Sequence, residues 1–293
     1  MNGWLDITGM GAPVTVQDGG RPGQMHHGVP AGGPLVPELL VAANRAVGNP
    51  RGAAALESYG RLALRVRGRT ARISVDGRSF TVADGETFTV PAPESLAVRY
   101  IAVDGGIAVP EVLGGRGTLL VANLGGHQGR ALRPGDSLPL GASLGPPDAQ
   151  SPEVRLDAQA PVRVTPGPDL ERFDSTALPL LVGSDFTVST VSDRVGMRLR
   201  GAAIPHGDEG TGTSRPMARG AIQVTLSGEP IVLGPDHPTT GGYPLIAVVI
   251  RADWGRLAAR RPGAHVRFAS VSVEEAREAW SHRAAELGLS MER

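Results

Sequence analysis

Short runs of alternating apolar and polar residues dominate the chain. Ala71-Arg-Ile-Ser-Val75 and Arg78-Ser-Phe-Thr-Val82 flank Asp76-Gly77, the period-two pattern and turn dipeptide of a β-hairpin with a primed turn. The same pattern predicts strands over 13–17, 54–59, 61–66, 86–90, 95–103, 162–165, 185–190, 221–226, 230–233, 244–250 and 264–270. Many short strands closed by turn residues predict an all-β protein with a few helices, built as barrels or sandwiches. Helical periodicity occurs in three places. Val36, Leu39, Leu40, Ala43 and Val47 share one face, with Pro37 in the first turn and Gly48-Asn49-Pro50 as the stop. Ser272 and Glu275 have capping-box spacing and open a terminal helix whose stripe is Val273, Ala276, Trp280, Ala284 and Leu287. A shorter helix is expected over 253–260.

The segment from Gly141 to Pro152 is rich in Gly, Pro and small polar residues and cannot continue a ladder. It divides the chain into an expected first unit, 1–145, and a second, 153–293. Similar cues recur on both sides. Thr15-Val-Gln-Asp18 with Arg21 answers Thr190-Val-Ser-Asp193 with Arg194, and Gly129 to Gly135 answers Gly255 to Gly263. Two diverged copies of one β-unit account for this pattern.

Composition narrows the chemistry. The 293 residues carry 29 basic and 29 acidic side chains, and every basic one is arginine. Without lysine there is no Schiff base, Walker lysine or lysine general base. Without a basic excess there is no electrostatic footprint for nucleic acid or an anionic membrane. The absence of cysteine excludes disulfides, thiolate metal sites and thiol catalysis. No signal-like segment or long apolar span is read from the sequence, so a cytoplasmic location is expected.

Three segments are candidates for chemistry. In Gln17-Asp18-Gly-Gly-Arg21 a strand runs into a glycine-rich loop bearing a carboxylate and a guanidinium, which could bind a ligand or simply brace the turn. His26 and His27 follow, but neighbours on an extended chain point apart, so no metal site is expected. Ser192-Asp193-Arg194 offers a hydroxyl, a candidate base and a planar fork for a carboxylate, or an ion pair bracing a turn. The richest is Asp236-His237-Pro-Thr-Thr240-Gly241-Gly242-Tyr243, where imidazole and carboxylate could move protons and glycine N–H groups could hold an oxyanion. His206, Asp208 and Glu209 are read as a solvent-exposed loop. No nucleophile-elbow, zincin or EF-hand pattern occurs.

Taken in order, these segments resemble the family of the 5-oxoprolinase C subunit, whose members are also known as allophanate hydrolase subunit 2 or the Kip anti-inhibitor. The residues that carry the resemblance are Thr15 to Asp18 with Arg21 and Gly23, Ala43-Asn44, Val47-Gly-Asn49, Val103-Asp-Gly-Gly-Ile107 and Val112-Leu-Gly114. Also matching are Pro166-Gly-Pro168, Ser192-Asp-Arg194, Gly220-Ala-Ile-Gln223, Thr239 to Pro244 and Arg261-Pro-Gly263. The resemblance implies two cyclophilin-like β-barrel units in tandem. It also implies a component that opens the lactam of 5-oxoproline to glutamate, with ATP as cosubstrate of the complex. The partners would be the A and B subunits of 5-oxoprolinase, the latter kinase-inhibitor-like, and no metal is implied in this chain. Asp236, His237, Tyr243 and Asp193 are then the expected catalytic residues. Ser192, Arg194, Thr240, Gly241, Gly242, Asp18 and Arg21 are the expected substrate contacts. Related readings are the carboxyltransferase component of a biotin-dependent urea or amide carboxylase, and a non-catalytic anti-inhibitor that binds a kinase-inhibitor partner. The chain departs from the usual family pattern at Gly32-Gly-Pro-Leu-Val36, Ser214-Arg215, Arg219-Gly220 and Asp236-His237-Pro238.

Overall fold

A computed structural model describes residues 3–143, 154, 156–157, 159–205 and 212–289. The chain forms two compact units, one of Met1–Gln24 with Ala31–Arg155 and one of Met25–Pro30 with Leu156–Arg293. Most of the predicted linker, and the loop holding His206, Asp208 and Glu209, lie outside the described residues.

The strands of the first unit are β1 (Trp4–Met10), β2 (Val14–Gln17), β3 (Ala55–Ser58), β4 (Leu62–Arg67), β5 (Ala71–Val75), β6 (Arg78–Val82), β7 (Thr87–Val90), β8 (Arg99–Val103) and β9 (Ser137–Pro139). They form two sheets, ordered β7-β4-β1-β9 and β2-β3-β8-β5-β6. Leu5, Ile7, Leu62 and Leu64 from one sheet meet Val16, Leu56, Ile73 and Ile101 from the other in one buried core. This is the packing that period-two alternation dictates. At the predicted hairpin, Asp76 (φ 51°) and Gly77 (φ 97°) both adopt left-handed backbone, as a type I′ turn requires. Helix α1 (Pro37–Arg45) covers β8 and β5. Asn44 and Asn49 tie its end to the sheet. Asn44 Nδ2 donates to Ala53 O at 2.8 Å, and Asn49 Nδ2 donates to Val103 O at 2.8 Å. Two of the motifs carrying the family resemblance therefore serve as scaffold.

The second unit contains β10 (Val162–Pro166), α2 (Ala177–Gly183), β11 (Phe186–Val188), β12 (Gly196–Arg200), β13 (Arg215–Pro216), β14 (Ala221–Val224), β15 (Pro230–Leu233), β16 (Thr240–Gly241), β17 (Leu245–Val249), α3 (Trp254–Ala258), β18 (His265–Val266), β19 (Phe268–Ser270) and α4 (Val273–Leu287). Eight strands form a sheet ordered β18-β11-β12-β15-β14-β17-β10-β19. Its two edges are adjacent in sequence, separated by Arg267, whose carbonyl accepts from Val162 N–H at 2.8 Å. The sheet is a nearly closed barrel around Val164, Phe186, Leu199, Ile222, Ile246 and Phe268. The ribbon of β13 and β16 stands apart from it. Helix α4 has the predicted box, with Glu275 N–H donating to Ser272 Oγ at 3.2 Å and Ser272 N–H to Glu275 Oε2 at 2.7 Å. Its stripe is buried only toward the C-terminal end, at Ala284 and Leu287, while Val273 is exposed.

One of the two repeated cues has a structural counterpart. Asp136 N–H donates to Arg133 O and Ala264 N–H to Arg261 O, closing two Arg-Pro-Gly turns in which Gly135 (φ 96°) and Gly263 (φ 84°) are left-handed. The other has none, because Thr15–Asp18 ends a strand while Thr190–Asp193 lies in a turn. Alternation along the sequence does not reveal β1, β12 or α2. In β1 only Leu5 and Ile7 alternate before a register shift between Ile7 and Gly9. In α2, Pro179 resembles a breaker yet falls in the first turn, where its missing N–H goes unused. No helix among the described residues is long and apolar enough to cross a membrane.

Candidate active site

The polar loop of the second unit follows β15 and is anchored at its start by a buried ion pair. Arg194 Nε donates to Asp236 Oδ2 at 2.7 Å and Nη2 to Oδ1 at 3.0 Å. Asp236 N–H returns a bond to Arg194 O at 3.0 Å. Gly234 permits this approach, since a Cβ there would meet Arg194 O at 2.2 Å. The fork that the sequence offers to a substrate anion is thus engaged by an internal carboxylate. Ser192 and Asp193 complete the turn before β12. Asp193 Oδ1 accepts from Val195 and Gly196 N–H at 2.8 and 3.0 Å, and Ser192 Oγ accepts from Arg198 N–H at 3.1 Å.

His237 is buried beside Asp236, and its Nδ1 lies 2.8 Å from Pro238 O. A carbonyl only accepts, so Nδ1 carries a proton here, and Nε2 is the ring nitrogen left for proton transfer. The chain then enters β16, which pairs with β13, setting Thr240 opposite Pro216 and Gly241 opposite Arg215. Met217 N–H donates to Thr239 O at 2.9 Å, and Gly212 N–H to Gly242 O at 2.8 Å. Thr240 is exposed, whereas Gly241, Gly242 and Tyr243 are half-buried.

Two groups here lie outside the site residues expected from sequence. Gln223, on β14, is buried with Nε2 at 3.5 Å from Met217 Sδ; a Cβ on Gly241 would approach that nitrogen to 2.9 Å. Asp169, just beyond Pro166-Gly-Pro168, accepts from Leu245 N–H at 2.9 Å and pairs with Arg215 Nη1 at 2.5 Å. Gln223 closes a motif of the family resemblance and could have been found there. Asp169 carries no local signal, because its partner is 46 positions away in sequence.

In the first unit, Asp18 Oδ1 accepts from Gly20 N–H at 2.9 Å and Oδ2 from Arg116 N–H at 2.5 Å. Arg21 is buried and donates through Nη2 to Gly117 O and through Nε to Val112 O. Both side chains pin the 112–117 loop. His26 and His27 occupy a short 3-10 turn, and their rings lie 3.8 Å apart. The expectation that they point apart fails because the segment is not extended. Among the described residues no group of three or more His, Asp or Glu converges as a metal site would.

The chain matches the family profile described as carboxyltransferase domain, subdomain A and B, over residues 27–270. It is 36% identical over 291 residues to the C subunit of 5-oxoprolinase from Escherichia coli (strain K12), covering 94% of each chain. It is 29% identical to urea amidolyase of Lachancea kluyveri over 94% of its own length and 17% of that protein's. Among solved structures, the Kluyveromyces lactis urea carboxylase aligns over 97% of this chain and 29% of that one, with a TM-score of 0.87 and 26% identity. The chain thus spans nearly all of the bacterial protein and one part of the longer fungal ones.

Proposed function

Because the chain belongs to the carboxyltransferase domain family that includes the 5-oxoprolinase C subunit, we propose that it is one component of a heteromeric, ATP-dependent amide-processing enzyme. Its substrate is 5-oxoproline, whose lactam is hydrolysed to glutamate. The observation that carries this reading is the likeness to the Escherichia coli protein across 94% of both chains. The partners are the A and B subunits of 5-oxoprolinase, the latter kinase-inhibitor-like, and the complex works in the cytoplasm.

The roles follow from the second unit. His237 Nε2 takes a proton from the attacking water and passes it to the ring nitrogen as the C–N bond breaks. The backbone around Gly241 and Gly242 holds the reacting carbonyl oxygen, and Gln223 addresses the amide edge of the ring. Tyr243 is a further donor at the mouth of the loop. Arg194 and Asp236 position the loop and do not touch the substrate. ATP supplies the driving force when bound to the complex. With no lysine in the chain, its phosphates are assigned to a surface shared with the partners.

The likeness to urea carboxylase favours a second reading, carboxyl transfer from carboxybiotin carried on a separate protein, since this chain has no lysine to biotinylate. One experiment separates them. The chain, co-purified with both partners, should release glutamate from 5-oxoproline only when ATP is present, and the chain alone should release none. Release by the single chain, or failure of the full complex to release any, overturns the first reading.

A further inference from the structure

We propose that Arg215 is the anion-recognising group of the second unit's site, presenting the Nε–Nη2 edge of its guanidinium to a carboxylate of the small-molecule ligand. Arg215 lies directly across the β13–β16 ribbon from Gly241, and opposed residues of an antiparallel pair share a face. Glycine lets the side chains of Gln223 and Met217 pack directly on that face. The amide of Gln223 stands against it, 2.9 Å from where a Cβ of Gly241 would be.

The arginines that face buried carboxylates in this unit differ in how they are held, and one of them, Arg256, meets Asp253 through Nη1 at 3.3 Å with its own side chain only 16% exposed. Arg194 gives Asp236 both Nε and Nη2, at 2.7 and 3.0 Å. Arg163 gives Asp253 the same edge, at 3.0 and 2.7 Å. In both, the two parallel N–H groups that match a carboxylate are consumed. Arg215 meets Asp169 through Nη1 instead, at 2.5 Å, and its side chain is 37% exposed against 5% for Asp169. Its side chain forms no other hydrogen bond or ion pair among the described residues, so the paired edge stays available. Asp169 is itself fixed by Leu245 N–H. One end of the guanidinium is therefore anchored and the other is open, an arrangement that orients a fork at little entropic cost.

A second cation reinforces the field. Arg172 Nη1 lies 2.3 Å from where a Cβ of Gly212 would stand, and Gly212 donates to Gly242 O. A second guanidinium thus lies beside the residue that pairs with Gly242. A ligand that offers an amide to Gln223 and a carboxylate to Arg215 fits this arrangement. For 5-oxoproline this inference rests on the proposed function, while carboxylate recognition itself does not.

The test has two arms. In the first, the purified chain is titrated with 5-oxoproline and with its primary carboxamide, with binding followed by NMR. The wild type should prefer the carboxylate at least tenfold, and Arg215→Gln should bind both alike while melting within about 2 °C of wild type. In the second, the reconstituted complex carrying Arg215→Lys should show KM for 5-oxoproline raised about tenfold or more, with kcat falling less. The proposal is overturned if the wild type shows no preference, if the preference survives in Arg215→Gln, or if Arg215→Lys lowers kcat and melting temperature with KM unchanged. A preference that is present in the wild type and lost in the variant, alongside a complex that releases no glutamate, would retire the proposed reaction and leave the carboxylate site standing.

Discussion

Arg194 and Asp236 hold each other through two side-chain hydrogen bonds of 2.7 and 3.0 Å while only 7% and 5% of their side chains reach solvent. They join the turn before β12 to the loop after β15, across 42 residues of sequence. A buried bidentate pair of this kind is an architectural tie, and losing one partner strands a charge in the interior.

Removing either member should therefore cost stability before it costs recognition. Asp236→Ala should lower the unfolding free energy by about 3 kcal/mol or more, the range for a broken buried pair. Arg194→Lys should also destabilise, since a point charge cannot reproduce both bonds. Urea denaturation of each variant measures this. A melting point within 1 °C of wild type, together with a raised KM, would return Arg194 to substrate recognition.

In the proposed reaction His237 carries the proton-transfer role. His237→Gln should reduce kcat of the reconstituted complex by about a hundredfold or more, within the usual contribution of a general base. The circular dichroism spectrum should be unchanged. Turnover within threefold of wild type would place the base elsewhere.

Gly241 tests the face of the ribbon on which Gln223 packs. In Gly241→Ala the new methyl group would meet Gln223 Nε2 at 2.9 Å and Met217 Cγ at 3.3 Å. Both belong to flexible side chains that can retreat, so the fold should persist. Turnover should fall about tenfold as Gln223 is displaced, a change of about 1.4 kcal/mol in barrier. An alanine variant as active as wild type would remove Gln223 from the site.

The first unit should weaken in acid. Asp136 is bonded by Arg130 through both nitrogens at 2.8 Å and by Arg133 N–H at 2.7 Å. The Arg130 hydrogen bond, foremost, holds its carboxyl below the ordinary value. Asp6 is held low in the same way, chiefly by Arg67. A carboxylate depressed in the folded state contributes stability above its unfolded pKa and loses it as pH falls through the folded one. The stability gap between wild type and Asp136→Asn should be widest near pH 6–7 and close below about pH 4. A gap that does not change with pH would assign the effect to shape.

Local pattern carried the strand-rich class, the Asp76-Gly77 hairpin and the capped terminal helix, because alternation, turn dipeptides and capping boxes act over a few residues. The density of polar groups from Asp236 to Tyr243 likewise marked the loop without any partner being known. What sequence could not show was which donors were already engaged. Arg194 and Arg215 are the same residue type beside equally polar neighbours. One gives its fork to Asp236 and the other leans on Asp169 by one nitrogen, and only long-range pairing distinguishes them. His26 and His27 escape local pattern for a related reason, since a 3-10 turn brings together rings that an extended chain would separate.

The seam at Arg267 imposes an order of events during synthesis. β10 begins at Val162, yet its parallel neighbour starts at Phe268, so more than a hundred residues leave the ribosome before this edge can be matched. Until then β10 and β11 each present a row of unsatisfied backbone groups, the kind of edge that invites pairing with another chain. Closure waits on one short stretch that seals both sides within six residues, making residues 265–270 a late latch. Truncation just short of it should yield a nascent barrel prone to aggregate, and a chaperone would find its substrate there.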